Sequence, residues 1–520
     1  MSFGLFSLIL HLLEYYFRQE PSVALASLLI SAVFALVSIP LVVIDYPMCN
    51  ALQQFAITDY IFFEFFAIKR MRMDATVRTL KPYVGIIFGI FPAILGFFWS
   101  VEAVIFIVFA VTFGLVAFIS PEFPFLFTLL VLPYLSLLPH GQIVLVVLSL
   151  LTLVSFFRKV LTDKRIYNLE VYDIGIILLL LIIAVGGVIG AGDFSTFAAG
   201  IMISLVLGYI PAGNLVLNRR LADCTVNSIT VSSIPVAVVA IVEYITALFD
   251  GQRASSKSTF ASPDELAVFL TVVSVLAVFY VFEEKDSVPK LFYCVALLLN
   301  LVALVATENL LIIAVLLLCA LAYAILRTPM LPNELIILIA AIPYAVFFLP
   351  LEMTRSVCEF LGISQSLVQC IADFSEAITL FVENIFLGIG ARGFGEDGSY
   401  PTFNILLGIG CRFGIFALVV FAVMTLLRLR HFSAFSRYYK NSSLRGPVYM
   451  SAVAIFALLV MGSFYDVFAN TSIFYLFWCI MGFCSAILRI AKNEHNDRVD
   501  YYRDQRSFDS ADTSILLRRK

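Results

Sequence analysis

The chain has 520 residues, of which 62% are hydrophobic and 13% are charged, and its mean hydropathy is +1.01. In a typical soluble protein about a quarter of the residues are charged. This composition therefore excludes an ordinary soluble protein and predicts a large lipid-facing surface. The net charge is −3. Because no stripe of Lys and Arg is present, we expect no nucleic-acid partner.

Apolar runs along the chain reach the ~17–25 residues that cross the hydrocarbon layer of a membrane. Backbone groups in lipid must be satisfied within the segment, so these runs predict helices, and they lack the alternation of a β-barrel. We predict an all-α polytopic integral membrane protein with about 14 transmembrane helices. The runs cover 22–44, 83–99, 101–119, 123–138, 141–157, 173–191, 195–213, 228–249, 264–282, 289–306, 309–326, 333–350, 403–427, 448–464 and 470–489.

The ends of the chain differ from this apolar body. Residues 1–21 lack a basic n-region and a small-residue cleavage site, so they predict an interfacial lead-in and not a removed signal peptide. A single transmembrane domain is predicted over 22–490, although the run at 51–68 contains Asp59 and Glu64 and can lie at the interface instead. The charged segment 491–520 is predicted to be a disordered tail.

Lys and Arg concentrate in loops that alternate onto one side of the predicted spans. The positive-inside rule places these loops in the cytoplasm, and the C-terminus with them. The basic segments are 69–81, 158–165, 219–220, 327, 428–445 and 489–520.

The same alternation puts two large loops outside, 250–263 and 351–402. Loops of more than ~15 residues in a compact fold tend to be functional. Apolar residues recur at helical spacing from 364 to 386, which predicts an amphipathic helix on the membrane surface. This helix leads into a GIG turn at 388–390 and a GFGEDG loop at 393–398, where glycines allow sharp bends and close approach.

Four stretches follow one another in a characteristic order. Their order and spacing resemble those of the O-antigen ligase and O-antigen polymerase superfamily, over residues 165–430. The stretches are STFASPDEL at 258–266, ATENLL at 306–311, NIFLGIGARGF at 384–394 and PTFNILLGIGCRFG at 401–414.

This resemblance implies an activity at the outer face of a bacterial plasma membrane. Members of the superfamily transfer or polymerise a glycan from a polyprenyl-pyrophosphate donor, with no metal or other cofactor. We therefore expect a protein of cell-envelope polysaccharide assembly, a metal-independent glycosyltransferase if it is active. The expected partners are a polyprenyl-pyrophosphate-linked glycan, membrane lipid and envelope assembly proteins.

The resemblance also suggests site residues. Arg392, Arg253 and Arg412, together with Asn404, are candidates for substrate binding, because the planar guanidinium matches phosphate oxygens. The position of the superfamily's His is Phe403, which cannot transfer a proton.

Other residues and roles stay open. Glu396 and Asp397 are candidates for the missing base. Asn404 can instead cap the helix that follows it. Arg412 can instead form a buried ion pair with Glu308.

Two other functions remain open at this point. One is a catalytically degenerate protein that binds a lipid-linked glycan or acts as a scaffold for envelope assembly. The other is a transporter or flippase, which ranks last because spans 173–213 and 289–326 carry few polar residues for a hydrophilic path.

Overall fold

The regular structure of the chain is helical, as the sequence predicts. In the computed structural model the described part of the chain contains no β-strand. It comprises residues 2–18, 58–66, 101–189, 193–251, 255–283, 287–309, 311–328, 335–346, 351–360, 376–390, 404–438, 445–464 and 466–517, with single positions at 29, 31–33, 35–36, 90 and 93–94.

The chain divides into two compact units, Met1–Phe123 and Pro124–Lys520. In the first unit lie helix α1 (Ser2–Arg18), a π-helical turn (Asp59–Phe65) and helix α2 (Val101–Ile119). Helix α3 (Glu122–Val131) begins at the end of this unit. The first unit has its own aromatic contacts, since the ring of Phe66 meets that of Phe123 edge-on at 5.0 Å.

The second unit is a bundle of helices. Its helices are α4 (Gly141–Leu161), α5 (Val171–Ile189), α6 (Asp193–Val206), α7 (Tyr209–Leu215), α8 (Arg219–Phe249), α9 (Pro263–Glu283), α10 (Ser287–Ala306), α11 (Leu311–Arg327), α12 (Leu335–Val346), α13 (Leu351–Phe360), α14 (Ile405–Tyr438), α15 (Arg445–Gly462) and α16 (Thr471–Leu517). Short 3₁₀ turns follow α3 at Leu132–Leu137 and precede α16 at Val467–Ala469.

Eight helices of the described residues are long and apolar enough to cross a membrane, and five shorter helices are also apolar. These helices confirm an α-helical membrane protein, while the number fourteen stays a prediction. Most of the predicted spans 22–44 and 83–99 lies outside the described residues. The eight are Gly141–Leu161, Val171–Ile189, Thr196–Leu215, Arg219–Phe249, Pro263–Phe282, Pro289–Ala306, Ile405–His431 and Thr471–Asn496.

Burial separates central helices from peripheral ones. In α16, 83% of the most apolar window is buried, against 28% in the long helix α8. Peripheral helices expose large apolar side chains, such as Val188 at 74% on α5. Exposed apolar side chains are favourable in contact with lipid and unfavourable in contact with water, as expected for the lipid-facing surface that the composition predicts.

Helix α16 continues through the segment predicted to be disordered and ends at Leu517. Over 491–517 the structure thus has a helix where the charge pattern predicts disorder, and disorder of the tail in the protein stays a prediction. The segment contains neither Gly nor Pro. A helix already nucleated by the buried span can therefore propagate through it, because adding a residue to an existing helix is far easier than starting one.

A polar cluster, which we call the Arg428 cluster, joins α5, α7, α14 and α16. Arg428 is 1% exposed, and its Nη2 donates to Ser485 Oγ at 2.5 Å and to Tyr209 Oη at 3.3 Å. Its guanidinium lies 3.7 Å from the centre of the Tyr172 ring. The Tyr172 hydroxyl in turn hydrogen-bonds His431 Nδ1 at 2.6 Å. Four helices are thus tied together by side chains alone.

Candidate functional site at a broken helix

Helix α14 is interrupted at Gly414, whose φ of +78° and ψ of −177° are not helical. The carbonyls just before the break accept hydrogen bonds from outside the helix. Ile389 N donates to Cys411 O at 2.8 Å, and Gly390 N donates to Arg412 O at 2.9 Å. The GIG turn therefore docks on the broken helix, and the two glycine-rich motifs of the sequence form one structure.

A third backbone hydrogen bond joins the segment before the GIG turn to α14 just after the break. Ile415 N donates to Ile385 O at 2.7 Å. Within a membrane span, irregular backbone is stable only where protein or trapped water satisfies it. The docked turn meets this requirement by pairing the groups that the break releases.

Glycine is required at two of these positions by space as well as by conformation. Gly388 has a φ of +69°, and a Cβ there would lie 2.4 Å from the backbone of Arg412. A Cβ on Gly414 would lie 2.2 Å from Phe386 O. Both motifs thus owe their glycines to the close approach of two backbones.

The chain before the turn is helical over residues 376–383. This part packs against α14, because Cys411 Sγ donates to Ala377 O at 3.1 Å. The remainder of the predicted amphipathic helix, from 364 to 375, lies outside the described residues. Its position on a membrane surface stays a prediction.

Arg412 forms a buried ion pair with Asp466, and the two side chains are 4% and 8% exposed. The predicted alternative partner was wrong, since Glu308 is exposed at a turn with a φ of +53° and forms no ion pair among the described residues. The carboxylate of Asp466, which precedes the 3₁₀ turn Val467–Ala469, thus neutralises a cation that lipid or protein interior would otherwise exclude. Substrate binding by Arg412 stays a prediction.

Asn404 caps α14, as one of the two sequence interpretations expects. Its Oδ1 accepts a hydrogen bond from Leu407 N at 2.8 Å, and its side chain is buried. This bond satisfies one of the free amides at the start of the helix. Contact of Asn404 with substrate stays a prediction.

Motifs distant in sequence meet at this end of the bundle. Asn309 Nδ2 donates to Asp264 Oδ1 at 2.8 Å, which joins the ATEN and SPDE stretches. Asn470 Nδ2 donates to Glu265 Oε2 at 2.9 Å. Since Asn470 follows Asp466 by one 3₁₀ turn, these bonds connect the ion pair to the start of α9.

The loop before α9 folds back on the bundle. Glu243 Oε2 accepts hydrogen bonds from Ser256 Oγ and from Ser258 N, both at 2.8 Å. Ser258 Oγ donates to Val236 O at 2.8 Å. The described part of the predicted outer loop 250–263 is therefore fixed against α8.

A pocket of about 490 Å³ opens where α4, α9 and α16 begin, and its lining mixes apolar side chains with polar ones. We call it the polar pocket, after its His, Gln, Glu and Asn side chains, and we call the end of the bundle where it opens the pocket end. Neither His140 nor Glu265 was singled out from the sequence. The lining residues are Leu135, Ser136, Leu138, Pro139, His140, Gly141, Gln142, Ile143, Phe197, Ala198, Ile201, Ala261, Glu265, Ala469, Asn470, Thr471 and Ser472.

An apolar groove of about 540 Å³ lies beside the docked turn. Its walls are α5, the residues just before the GIG turn, and α14 just after the break. The lining residues are Leu178, Leu181, Ile182, Val185, Phe386, Leu387, Ile415, Phe416, Val419 and Val420.

Of the predicted site residues, the structure describes Arg412 and Asn404. The other predicted positions lie outside the described residues, so whether they converge with Arg412 stays untested. They are Arg253, Arg392, Glu396, Asp397 and Phe403.

Comparison with known families finds no family model that matches the chain, and comparison with characterised proteins finds no match either. The superfamily resemblance therefore stays an expectation from the sequence motifs.

Proposed function

We propose that this protein handles a polyprenyl-pyrophosphate-linked glycan at the outer face of a bacterial plasma membrane, in the assembly of cell-envelope polysaccharide. One observation carries the proposal. The Arg412–Asp466 ion pair joins two segments that lead to different cavities: the wall of an apolar groove begins three residues after Arg412, and the wall of a polar pocket begins three residues after Asp466. A lipid-linked sugar needs an apolar site for its chain and a polar site for its glycan.

The groove suits the hydrocarbon chain of such a carrier. Its wall includes Ile415, three residues after Arg412, so a chain in the groove would end near the helix break. Burying an apolar chain against these side chains yields about 25 cal/mol per Å² only where water is the alternative. In a bilayer the groove therefore orients the hydrocarbon chain of the carrier but adds little to the free energy of binding.

If the protein is a transferase, the donor's pyrophosphate is the leaving group and gains charge as the sugar leaves. Cations near that group stabilise its departure. We assign this role to Arg392 and Arg253. Arg412 is the third candidate, and its tie to Asp466 fixes its guanidinium beside the break.

A second function is favoured by the same ion pair. Because Asp466 neutralises Arg412 in a buried position, the pair can be purely structural. The protein would then bind a lipid-linked glycan, or serve as a scaffold, without catalysing transfer.

Gene deletion in the source bacterium separates these functions. We expect lipid-linked glycan to accumulate on deletion, as measured by mass spectrometry of polyprenyl-linked species beside the mature polysaccharide. Wild type should relieve the accumulation, and Arg392→Ala should not. Arg219→Ala is the matched control, because Arg219 is half exposed and pairs with Asp223 one helical turn away.

Two results would count against transfer. An unchanged glycan profile on deletion, under conditions of expression, contradicts a role in this step. Accumulation that Arg392→Ala relieves as well as wild type does, at equal protein level, contradicts the assignment of Arg392 to phosphate.

A further inference from the structure

The polar pocket has hydrogen-bonding capacity that the protein does not use. The Glu265 carboxylate accepts hydrogen bonds at Oε2 from Asn470 Nδ2 at 2.9 Å and from Ala261 N at 3.2 Å, and the backbone of Ser262 also donates to this carboxylate. Neither Asn470 nor Ala261 engages Oε1. The side chains of His140 and Gln142 also form no hydrogen bond with the described residues, and both are exposed in the pocket.

The charge of the pocket argues against a phosphate. No Lys or Arg occurs among the described residues that line it, and Glu265 brings a carboxylate. Like charges close together repel, and the starts of three helices contribute about half a positive charge each at most. An uncharged ligand fits this lining better than the pyrophosphate of the donor does.

The chemistry of the lining is that of a saccharide site. Planar amide, imidazole and carboxylate groups can each donate to or accept from sugar hydroxyls. Phe197, 56% exposed, adds an apolar face to the pocket wall. Pockets for small ligands combine apolar walls with a few placed polar groups in this way.

We propose that the pocket binds an uncharged saccharide, the acceptor of glycan transfer, and that Glu265 takes the proton of its attacking hydroxyl. This inference rests on the proposed function. The hydroxyl oxygen forms a bond to the anomeric carbon of the donor sugar. The bond from that carbon to the pyrophosphate oxygen breaks, and the pyrophosphate leaves with the electron pair. The hydroxyl proton moves to Glu265 Oε1.

Chemical footprinting of histidine tests binding at the pocket. Diethyl pyrocarbonate modifies accessible imidazoles, and mass spectrometry of the full-length protein in nanodiscs gives a rate for each. His140 reports the pocket, and the exposed His495 on α16 is an internal control. The probes are the uncharged oligosaccharide fraction released from the surface polysaccharide of the source bacterium and, separately, inorganic pyrophosphate.

We expect the oligosaccharides to slow modification of His140, by about tenfold when their concentration is ten times Kd, and to leave His495 unchanged. Pyrophosphate should protect neither. Protection of His140 by pyrophosphate alone, or by neither probe, would overturn the saccharide assignment.

The conservative variant Glu265→Gln tests the proton transfer. The amide keeps a hydrogen-bonding group of the same shape, so saccharide should still protect His140. Complementation of the deletion strain by Glu265→Gln should nevertheless fail to relieve accumulated lipid-linked glycan. Full relief would overturn the role of Glu265 as proton acceptor.

The two assays also separate this inference from the proposed function. If deletion causes accumulation but saccharide never protects His140, glycan transfer stands and the pocket assignment fails. If saccharide protects His140 but deletion causes no accumulation, the pocket binds sugar and the transferase function fails.

Discussion

The two ends of the second unit use polar residues in opposite ways. At the pocket end, side chains bond mostly to turns, loops and helix starts, and a cavity remains between them. In the Arg428 cluster, side chains bond to one another across four helices. The first arrangement leaves hydrogen-bonding groups for a ligand, whereas the second uses them to hold helices in place.

Helix α14 carries a buried arginine on each side of its break, Arg412 before Gly414 and Arg428 after it. Arg412 is neutralised by a carboxylate, while Arg428 is stabilised by two hydroxyls and the face of a tyrosine ring. The broken half of the helix therefore depends on charge neutralisation, and the continuous half on cation–π contact and hydrogen bonds.

The largest expected effect is that of Asp466→Ala at the pocket end. It leaves the Arg412 guanidinium buried without its carboxylate, which costs about 3–5 kcal/mol. We expect a lower unfolding temperature in detergent. It is measured as the temperature at which a thiol-reactive fluorophore begins to label the buried cysteines during heating. The exposed Asp250 gives the control Asp250→Ala, which should have no effect.

A double variant sharpens this result. Replacing both partners, as Arg412→Leu with Asp466→Leu, removes the unpaired charge and should recover most of the stability. If the double variant is as unstable as Asp466→Ala, charge neutralisation is not what the pair contributes.

Gly414→Ala should have the next largest effect, about 3 kcal/mol, since its backbone conformation is nearly exclusive to glycine and a Cβ would meet Phe386 O at 2.2 Å. The GIG turn should detach from α14. Faster hydrogen exchange at Ile389 and Gly390 would report this loss. Gly200→Ala is the control, because a Cβ there meets nothing within 4 Å; equal effects of the two variants would contradict the docking.

At the other end, Ser485→Ala removes an acceptor of Arg428. Hydrogen bonds to charged groups contribute about 1.5–3 kcal/mol, so we expect a loss of about 2 kcal/mol in the same thermal assay. Ser204→Ala removes only an exposed hydrogen bond to Gly200 O within α6 and should change little. A loss as small as that of Ser204→Ala would show that the cluster does not stabilise the bundle.

The smallest effect is expected for Tyr172→Phe, about 1 kcal/mol, because it removes the bond to His431 and keeps the ring under Arg428. Tyr172→Leu also removes the ring face and should cost about 2 kcal/mol more if the cation–π contact matters in this dry site. Equal unfolding temperatures for the two variants would exclude that contribution.

The sequence predicted the features that depend on local pattern. Apolar runs predicted helices because their length matches the hydrocarbon layer, and the polar residue Asn404 before an apolar run predicted a cap. The glycine at 388 indicated close approach, although the pattern alone does not reveal that its motif contacts the motif that ends at Gly414.

What the sequence could not predict depends on contacts between distant segments. Asp466 follows Arg412 by 54 positions and lies in a stretch typical of a turn. Nothing in the sequence around either residue therefore indicates that the two form an ion pair. His140 precedes α4 and Glu265 lies in α9, and only folding brings both to one pocket. In the C-terminal tail, local pattern and context disagree. The charge of the tail predicts disorder, whereas its continuity with the buried span of α16 favours a helix.

The break in α14 also has a consequence for the surrounding lipid. The uninterrupted part of the candidate span, Ile415 to His431, rises about 25 Å, which is less than the ~30 Å of a typical hydrocarbon layer. Such a mismatch is met by local thinning of the bilayer or by tilt. We expect lipid beside α14 to thin or the helix to tilt in this way, so that acyl-chain length tunes how deeply water reaches toward Gly414.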